Sequence, residues 1–300
     1  MLVTRFAPSP TGHLHLGHAF SARHGYDAAQ AAGGRFLLRI EDIDATRCRP
    51  ELETALIDDL RFLGLRWDGE VRRQSEHLAL YAAHLDQLSG RGLLYPCFCT
   101  RAEIAAEIAQ AGGAPHDLPG PDAAGPLAAG PRYPGTCRSR SPAERAQRIA
   151  AGQSYALRLD VGRALEQVRA AGGPELAFSE RGRGPIAARP ELLGDVVLGR
   201  KEVRTSYHLA VTIDDHLQGV TLVTRGEDLF QATHIHRLLQ ALFGFRTPEY
   251  AHHRLLSAPD GSRLAKRRGA PTLRSLREAG QSAAEIWALV GYPPIADKNG

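Results

Sequence analysis

Short apolar runs alternate with amphipathic segments over residues 1–90, and this alternation limits the possible folds of the 300-residue chain more than any other feature. Residues 2–6 and 35–40 have the length and composition of buried strands. Residues 17–32, 50–63 and 75–90 have the apolar spacing and boundary residues of helices. Strands separated by helices in this way predict a doubly wound, parallel α/β domain.

The later part of the chain predicts a return to the same sheet after an interruption between residues 95 and 190. Residues 195–198, 207–213 and 220–224 are nearly continuous apolar runs, which are typical of parallel strands covered on both faces. Residues 272–290 form one amphipathic stretch near the C-terminus. We therefore expect a split α/β domain with an inserted module and a short helical tail.

Composition indicates a cytoplasmic protein. No apolar run reaches the roughly 20 residues of a membrane-spanning helix, and residues 1–4 lead directly into a strand pattern, so we expect neither a signal peptide nor a membrane anchor. The chain has only 4 cysteines, which indicates reduced thiols or metal ligands rather than a disulfide framework. A formal net charge of +4 permits an RNA partner without requiring one.

Two histidines flank a glycine where the first helix is predicted to begin. His15 and His18 are three positions apart, so both imidazoles reach one side of the helix N-terminus, where unpaired amides bind anions. Gly17 allows a nucleotide to approach the backbone closely. Taken alone, the pattern also fits two surface histidines beside a turn.

A basic segment, residues 261–269, lies between glycines near the other end of the chain. It predicts a mobile loop that closes over a polyphosphate, although a solvated basic turn has the same composition. In this order, the two segments resemble the HIGH and KMSKS signatures of class I aminoacyl-tRNA synthetases. Of the second signature, Leu264 and Lys266 keep the usual residue types, while Arg263, Ala265 and Arg267 depart from it.

This resemblance implies a Rossmann-type catalytic domain that joins a carboxylate to ATP, with Mg²⁺, to give an acyl-adenylate and pyrophosphate. The implied catalytic residues are His15, His18 and Lys266. The implied ATP-binding residues are His15, Gly17, His18, Leu264 and Lys266.

Further segments are similar to glutamyl-type synthetases, namely residues 5–12, 39–44, 206–211, 214–220 and 225–229. The resemblance implies a glutamate pocket that uses Arg5, Ala7, Ser9, Glu41, Tyr207 and Arg225. Glutamate carries two carboxylates and one ammonium, so its pocket needs two cations and one anion. Arg5 and Arg225 suit the carboxylates and Glu41 suits the amino group, but which arginine takes the side-chain carboxylate stays open.

A Cys-x-Cys pair and a later Tyr-x3-Cys segment resemble the zinc-binding residues of these relatives. The resemblance implies one structural zinc ion per chain held by Cys97, Cys99, Tyr133 and Cys137. Three thiolates are usual zinc ligands, and water is an alternative to the tyrosine as the fourth. Reduced cysteines without metal are the other interpretation, and Cys48 matches no ligand position.

The chain stops soon after Lys266, and this shortened form resembles the glutamyl-Q tRNA(Asp) synthetase family, which lacks the anticodon-binding domain. The resemblance implies that L-glutamate is activated without tRNA and transferred to queuosine in the anticodon loop of tRNA(Asp). A truncated glutamyl-tRNA synthetase that charges an acceptor end and a non-catalytic, zinc-stabilised RNA-binding protein are the alternatives. We expect a monomer.

These assignments divide the chain into four parts. Residues 1–94 and 191–250 form the two halves of the catalytic domain, and residues 95–190 form an inserted zinc-binding module of the acceptor-binding type. Residues 251–300 supply the KMSKS-like loop and a truncated helical tail of the stem-contact type.

Overall fold

The computed structural model describes residues 1–100, 102–104, 132–172, 175–256 and 271–295. These residues belong to two compact units. The first unit comprises residues 1–76, 219–227 and 248–300, and the second comprises residues 77–218 and 228–247. The division into four parts stays a prediction.

Strands and helices alternate along the described chain. The strands are β1 (Val3–Phe6), β2 (Arg35–Ile40), β3 (Arg72–Arg73), β4 (Leu94–Cys97), β5 (Ala156–Leu159), β6 (Ala177–Glu180), β7 (Gly184–Ala187), β8 (Val197–Gly199), β9 (Leu222–Gly226) and β10 (Glu249–His253). The helices are α1 (Leu16–Ala31), α2 (Pro50–Phe62), α3 (Leu78–Gly90), α4 (Pro142–Ala150), α5 (Val161–Ala170), α6 (Tyr207–Leu217), α7 (Ala232–Phe243), α8 (Leu273–Glu278) and α9 (Ala283–Leu289). Among these helices, none combines the length and apolar composition that a membrane span needs.

The first unit has the predicted parallel α/β arrangement. Strand β2 pairs in parallel with both β1 and β3, and β9 pairs in parallel with β10. Strand β9 lies beside β1, where the Thr221 N–H donates to the Val3 carbonyl at 2.9 Å. Helix α1 packs closely on these strands, since a Cβ added at Gly25 would lie 2.9 Å from Thr224 Oγ1.

The C-terminal helices are part of the core of the first unit. Trp287 is completely buried, and its indole N–H donates to the Leu63 carbonyl at 2.9 Å. The Arg23 guanidinium lies 5.0 Å from the centre of the Trp287 ring and donates to the Pro293 carbonyl. The predicted amphipathic stretch 272–290 is two helices, because Gly280 adopts a positive φ of 85° that ends the first one.

The second unit contains antiparallel strands. Strand β5 pairs with β4 and β8, and β6 pairs with β7. The buried Asp195 carboxylate accepts hydrogen bonds from the Tyr95 hydroxyl at 2.6 Å, the Arg138 guanidinium at 3.0 Å and the Val161 N–H at 3.1 Å. Asp195 therefore holds β4, the segment after Cys137 and the start of α5 together.

Of two parallel strands predicted in this unit, one is a strand whose predicted pairing is wrong and the other is a helix. Residues 195–198 overlap β8, which is antiparallel to β5 rather than part of a parallel sheet. Residues 207–213 lie in helix α6, where the Ser206 hydroxyl caps the N-terminus by accepting from the Leu209 N–H. Because α6 is buried over most of its surface, its apolar residues form a nearly continuous run that periodicity alone cannot distinguish from a strand.

Candidate active site and metal centre

The two histidines of the first signature form the N-terminal cap of α1. His15 has an extended backbone, and its Nδ1 accepts from the Gly17 N–H at 3.1 Å. His18 Nδ1 accepts from the His15 N–H at 3.1 Å, and the two ring centres are 3.8 Å apart. A Cβ added at Gly17 would lie 3.0 Å from His15 Cε1, so a side chain at position 17 would press on that ring.

This cap fixes the protonation of both imidazoles. A backbone N–H only donates, so each Nδ1 is unprotonated and each Nε2 carries the proton. Burial lowers the pKa of His15, and burial together with the neighbouring His15 charge lowers the pKa of His18 to about 3. At neutral pH the cap therefore has two uncharged rings with Nε2–H donors, beside a helix terminus that favours anions.

The low pKa of His18 predicts a loss of stability in acid. The unfolded chain binds a proton at this histidine below about pH 6.5, but the folded chain does not until about pH 3. Well above pH 6.5 the ring is neutral in both states and its protonation does not affect stability, whereas the folded state loses stability relative to the unfolded chain as the pH falls from 6.5 toward 3. We expect the free energy of unfolding of the native protein to fall by about 2 kcal/mol more than that of His18→Asn between pH 6.5 and 5. Urea unfolding at both pH values measures this difference, and identical pH dependence would contradict it.

The chain returns to this cap after the second signature. Thr272 forms an antiparallel bridge with His15, and the Leu273 N–H donates to the Leu14 carbonyl at 2.7 Å. Leu264 and Lys266, with the departures at Arg263, Ala265 and Arg267, lie outside the described residues.

Two of the residues predicted for the glutamate pocket are buried arginines on neighbouring strands. Arg5 in β1 donates to the Thr224 carbonyl in β9 at 3.0 Å. Arg225 in β9 donates from Nε to His252 Nε2 in β10 at 3.0 Å. Each arginine is only 5% exposed, and the two therefore place positive charge near the carboxyl ends of two contacting strands, where α/β folds bind ligands.

The predicted anionic residue lies at the same edge of the sheet. Glu41 follows β2 directly, and its N–H donates to the Pro8 carbonyl at 3.0 Å, which brings it beside the loop that contains Ala7 and Ser9. The Glu41 carboxylate pairs with Arg39, which is completely buried, at 3.2 Å. The structure thus brings Arg5, Ala7, Ser9, Glu41 and Arg225 into one unit.

Tyr207 belongs to the second unit, at the start of α6. It lines a cavity of about 300 Å³ together with Tyr133, Arg158 and His208. The Arg158 guanidinium stacks on the Tyr133 ring at 3.9 Å, and aliphatic side chains and the Asp195 carboxylate also line the cavity.

The three cysteines predicted as metal ligands lie together in the second unit. The sulfur atoms of Cys97, Cys99 and Cys137 are all within 4.8 Å of one another, and Cys99 Sγ is 3.4 Å from Cys137 Sγ. The Tyr133 hydroxyl lies 3.5 Å from Cys97 Sγ and 3.6 Å from Cys99 Sγ. Cys48 belongs to the first unit and lies outside this cluster.

These separations fit a metal ion. Around a tetrahedral zinc ion, two sulfur ligands are about 3.8 Å apart and a sulfur and an oxygen ligand about 3.5 Å apart. Burial opposes ionisation of Cys137, but hydrogen bonds from the Phe98 N–H and from neighbouring side chains lower its pKa to about 7. Burial and the hydrogen bond with Cys97 raise the pKa of Tyr133, so its phenol stays protonated without a bound cation.

Two residues that contact the predicted glutamate-pocket residues were not predicted from the sequence. Arg39 has a local signal, because it lies two positions before Glu41 and therefore on the same face of the chain. His252 has no local signal, because its contact with Arg225 depends on the pairing of β9 with β10.

Comparison with known proteins decides the family. The model of the family "tRNA synthetases class I (E and Q), catalytic domain" matches residues 1–292. The glutamyl-Q tRNA(Asp) synthetase of Rhodobacter capsulatus is 49% identical over 299 residues, which cover 97% of this chain and 100% of that protein. The chain belongs to the glutamyl-Q tRNA(Asp) synthetase family. The family member of Symbiobacterium thermophilum is 43% identical over 300 residues, covering 97% of this chain and 86% of its own.

A solved structure supports the fold of this synthetase family member. The crystal structure of a glutamate tRNA ligase from Elizabethkingia meningosepticum, in complex with its amino acid, is similar with a TM-score of 0.68 and 27% identity. The similarity covers 93% of this chain and 53% of that ligase, so the chain spans about half the length of the ligase. The protein therefore has the Rossmann-type catalytic domain of class I synthetases, with a cysteine cluster consistent with a zinc module.

Proposed function

We propose that the protein activates L-glutamate with ATP in the absence of RNA and transfers the glutamyl group to queuosine in the anticodon loop of tRNA(Asp). Family membership supports this reaction, because full-length relatives have the name glutamyl-Q tRNA(Asp) synthetase. The observation that carries the chemistry is the neutral imidazole pair at the N-terminus of α1. In the first step a glutamate carboxylate oxygen attacks the α-phosphorus of ATP and pyrophosphate leaves. In the second step a queuosine hydroxyl attacks the acyl carbon and AMP leaves.

Adenylate formation builds negative charge on the phosphates, and fixed donors stabilise it. We assign the Nε2–H groups of His15 and His18 to this role, with Gly17 leaving room for the nucleotide. Lys266 would add an ammonium group, and Leu264 would contact ATP. Mg²⁺ would accompany the triphosphate.

Glutamate binding is assigned to the carboxyl edge of the sheet in the first unit. The two buried guanidinium groups of Arg5 and Arg225 would receive the carboxylates, because charge-assisted hydrogen bonds offset the desolvation of both partners. Glu41, held by Arg39, would receive the ammonium group. Ala7 and Ser9 would complete the pocket, and the assignment of Tyr207 to glutamate stays a prediction from the resemblance.

We assign a structural zinc ion to Cys97, Cys99 and Cys137, with Tyr133 as the fourth ligand. The atomic separations support a tetrahedral site, and a cation is what would allow the Tyr133 phenol to ionise. The free cysteines support a reducing, cytoplasmic location, and we propose that the protein acts there as a monomer.

Transfer of radiolabelled glutamate tests the function. We expect label in tRNA(Asp) that contains queuosine, and none in tRNA(Asp) with guanosine at that position or in tRNA(Glu). Nuclease cleavage should place the label in the anticodon fragment, and prior periodate oxidation of the diol should abolish it. Label at the acceptor end, or in tRNA(Glu), would instead support a truncated glutamyl-tRNA synthetase. No label in any RNA would refute the transfer step.

A further inference from the structure

Arg225 has a partner that no part of the proposed reaction uses. His252 is its neighbour in the register of the parallel β9–β10 pair, and the Arg225 Nε–H donates to His252 Nε2 at 3.0 Å. The same guanidinium lies 5.4 Å from the centre of the buried Tyr250 ring. His252 and Tyr250 stack nearly in parallel, with an angle of 5° between their rings.

These contacts determine the chemical state of His252. Because the arginine Nε only donates, His252 Nε2 is the acceptor and its ring proton lies on Nδ1. A hydrogen bond through Nε restricts rotation of the guanidinium and therefore fixes the direction in which its two Nη groups point. An arginine held in this way can receive a carboxylate end-on through both Nη groups.

We propose that His252 is a positioning residue for substrate binding, which fixes the Arg225 guanidinium so that both Nη groups meet one carboxylate of glutamate. This inference rests on the proposed function. An arginine side chain has several rotatable bonds, and its immobilisation before binding removes an entropic cost that glutamate would otherwise have to offset. The loss of His252 Nε2 should therefore weaken glutamate binding more than it slows the chemical step.

Two substitutions at His252 distinguish the loss of the acceptor atom from the loss of the aromatic ring. In His252→Gln the side-chain oxygen replaces Nε2 as an acceptor, while in His252→Phe the stack on Tyr250 remains but the acceptor is lost. His253→Gln is the matched control, because His253 follows directly on the same strand, faces the opposite side and contacts the Ser21 hydroxyl at 3.0 Å. If His252→Phe melts well below the native protein, His252→Asn is used instead. The asparagine amide is too short to reach Arg225, so this variant also lacks the acceptor.

Calorimetric titration with glutamate and the KM for glutamate in ATP–pyrophosphate exchange provide the readouts. We expect His252→Phe to raise the Kd and KM for glutamate by about tenfold or more, with kcat and the KM for ATP changed by less than about threefold. His252→Gln and His253→Gln should stay within about threefold of the native protein. In an Arg225→Lys background, which has no Nε at that place, His252→Phe should have no further effect on glutamate binding.

The possible failures are distinguishable. Unchanged glutamate binding in His252→Phe, or an equal loss in the Arg225→Lys background, overturns the positioning role while native exchange activity leaves the proposed function intact. A native protein that neither binds glutamate nor supports exchange overturns the proposed function, and the positioning role with it.

Discussion

His18→Asn should lower the rate of glutamate-dependent ATP–pyrophosphate exchange by about 10²- to 10³-fold, the cost of removing one fixed donor from a charge-stabilising site. The asparagine oxygen replaces Nδ1 and can still accept from the His15 N–H, so the start of α1 should remain folded. The Nε2–H donor is lost. Steady-state exchange with saturating glutamate and ATP measures the loss.

His18→Gln is the matched variant for this prediction. Its amide nitrogen replaces Nε2 and can donate to a phosphate, so we expect it to keep at least tenfold more activity than His18→Asn. Circular dichroism and thermal unfolding should show both variants folded at neutral pH. Full exchange activity in folded His18→Asn would remove His18 from the reaction.

Cys137→Ser should lower the zinc content from about one ion per chain to near zero after dialysis, because one of three thiolate ligands is lost from a buried site. The apparent melting temperature should fall by at least about 5 °C, since bound metal stabilises only the folded state. Elemental analysis and a thermal scan measure the two effects.

Cys48→Ser controls for the loss of a thiol, because Cys48 is half-buried outside the cluster, and it should retain zinc and melt like the native protein. Tyr133→Phe tests the fourth ligand separately. We expect it to retain the ion with an affinity lower by about 10- to 100-fold. A native protein that is folded, active and free of zinc would refute the metal assignment.

Local patterns were sufficient where a structural element depends on neighbouring residues. The boundary residues of α1 and α2 predict helices that the structure contains. The alternation of strands and helices predicted the parallel sheet of the first unit, because connections between parallel strands need a helix or a long crossover.

Tertiary contacts explain what the sequence could not predict. A fully buried helix and a fully buried strand have similar apolar runs, which is why α6 was predicted as a strand. Residues 195–198 gave no indication of an antiparallel partner, since that partner, β5, lies about forty positions earlier. Arg225 was identified through the family resemblance, but its contact with His252 depends on strand register and is visible only in the structure.

ATP–pyrophosphate exchange by the native protein without RNA tests the central claim most directly. We expect exchange with glutamate because of the imidazole pair at the start of α1 and the two buried arginines, Arg5 and Arg225. Exchange with glutamine, which lacks the second carboxylate, should be at least about 100-fold lower. Exchange that is absent with every amino acid, or that requires tRNA, would contradict the account.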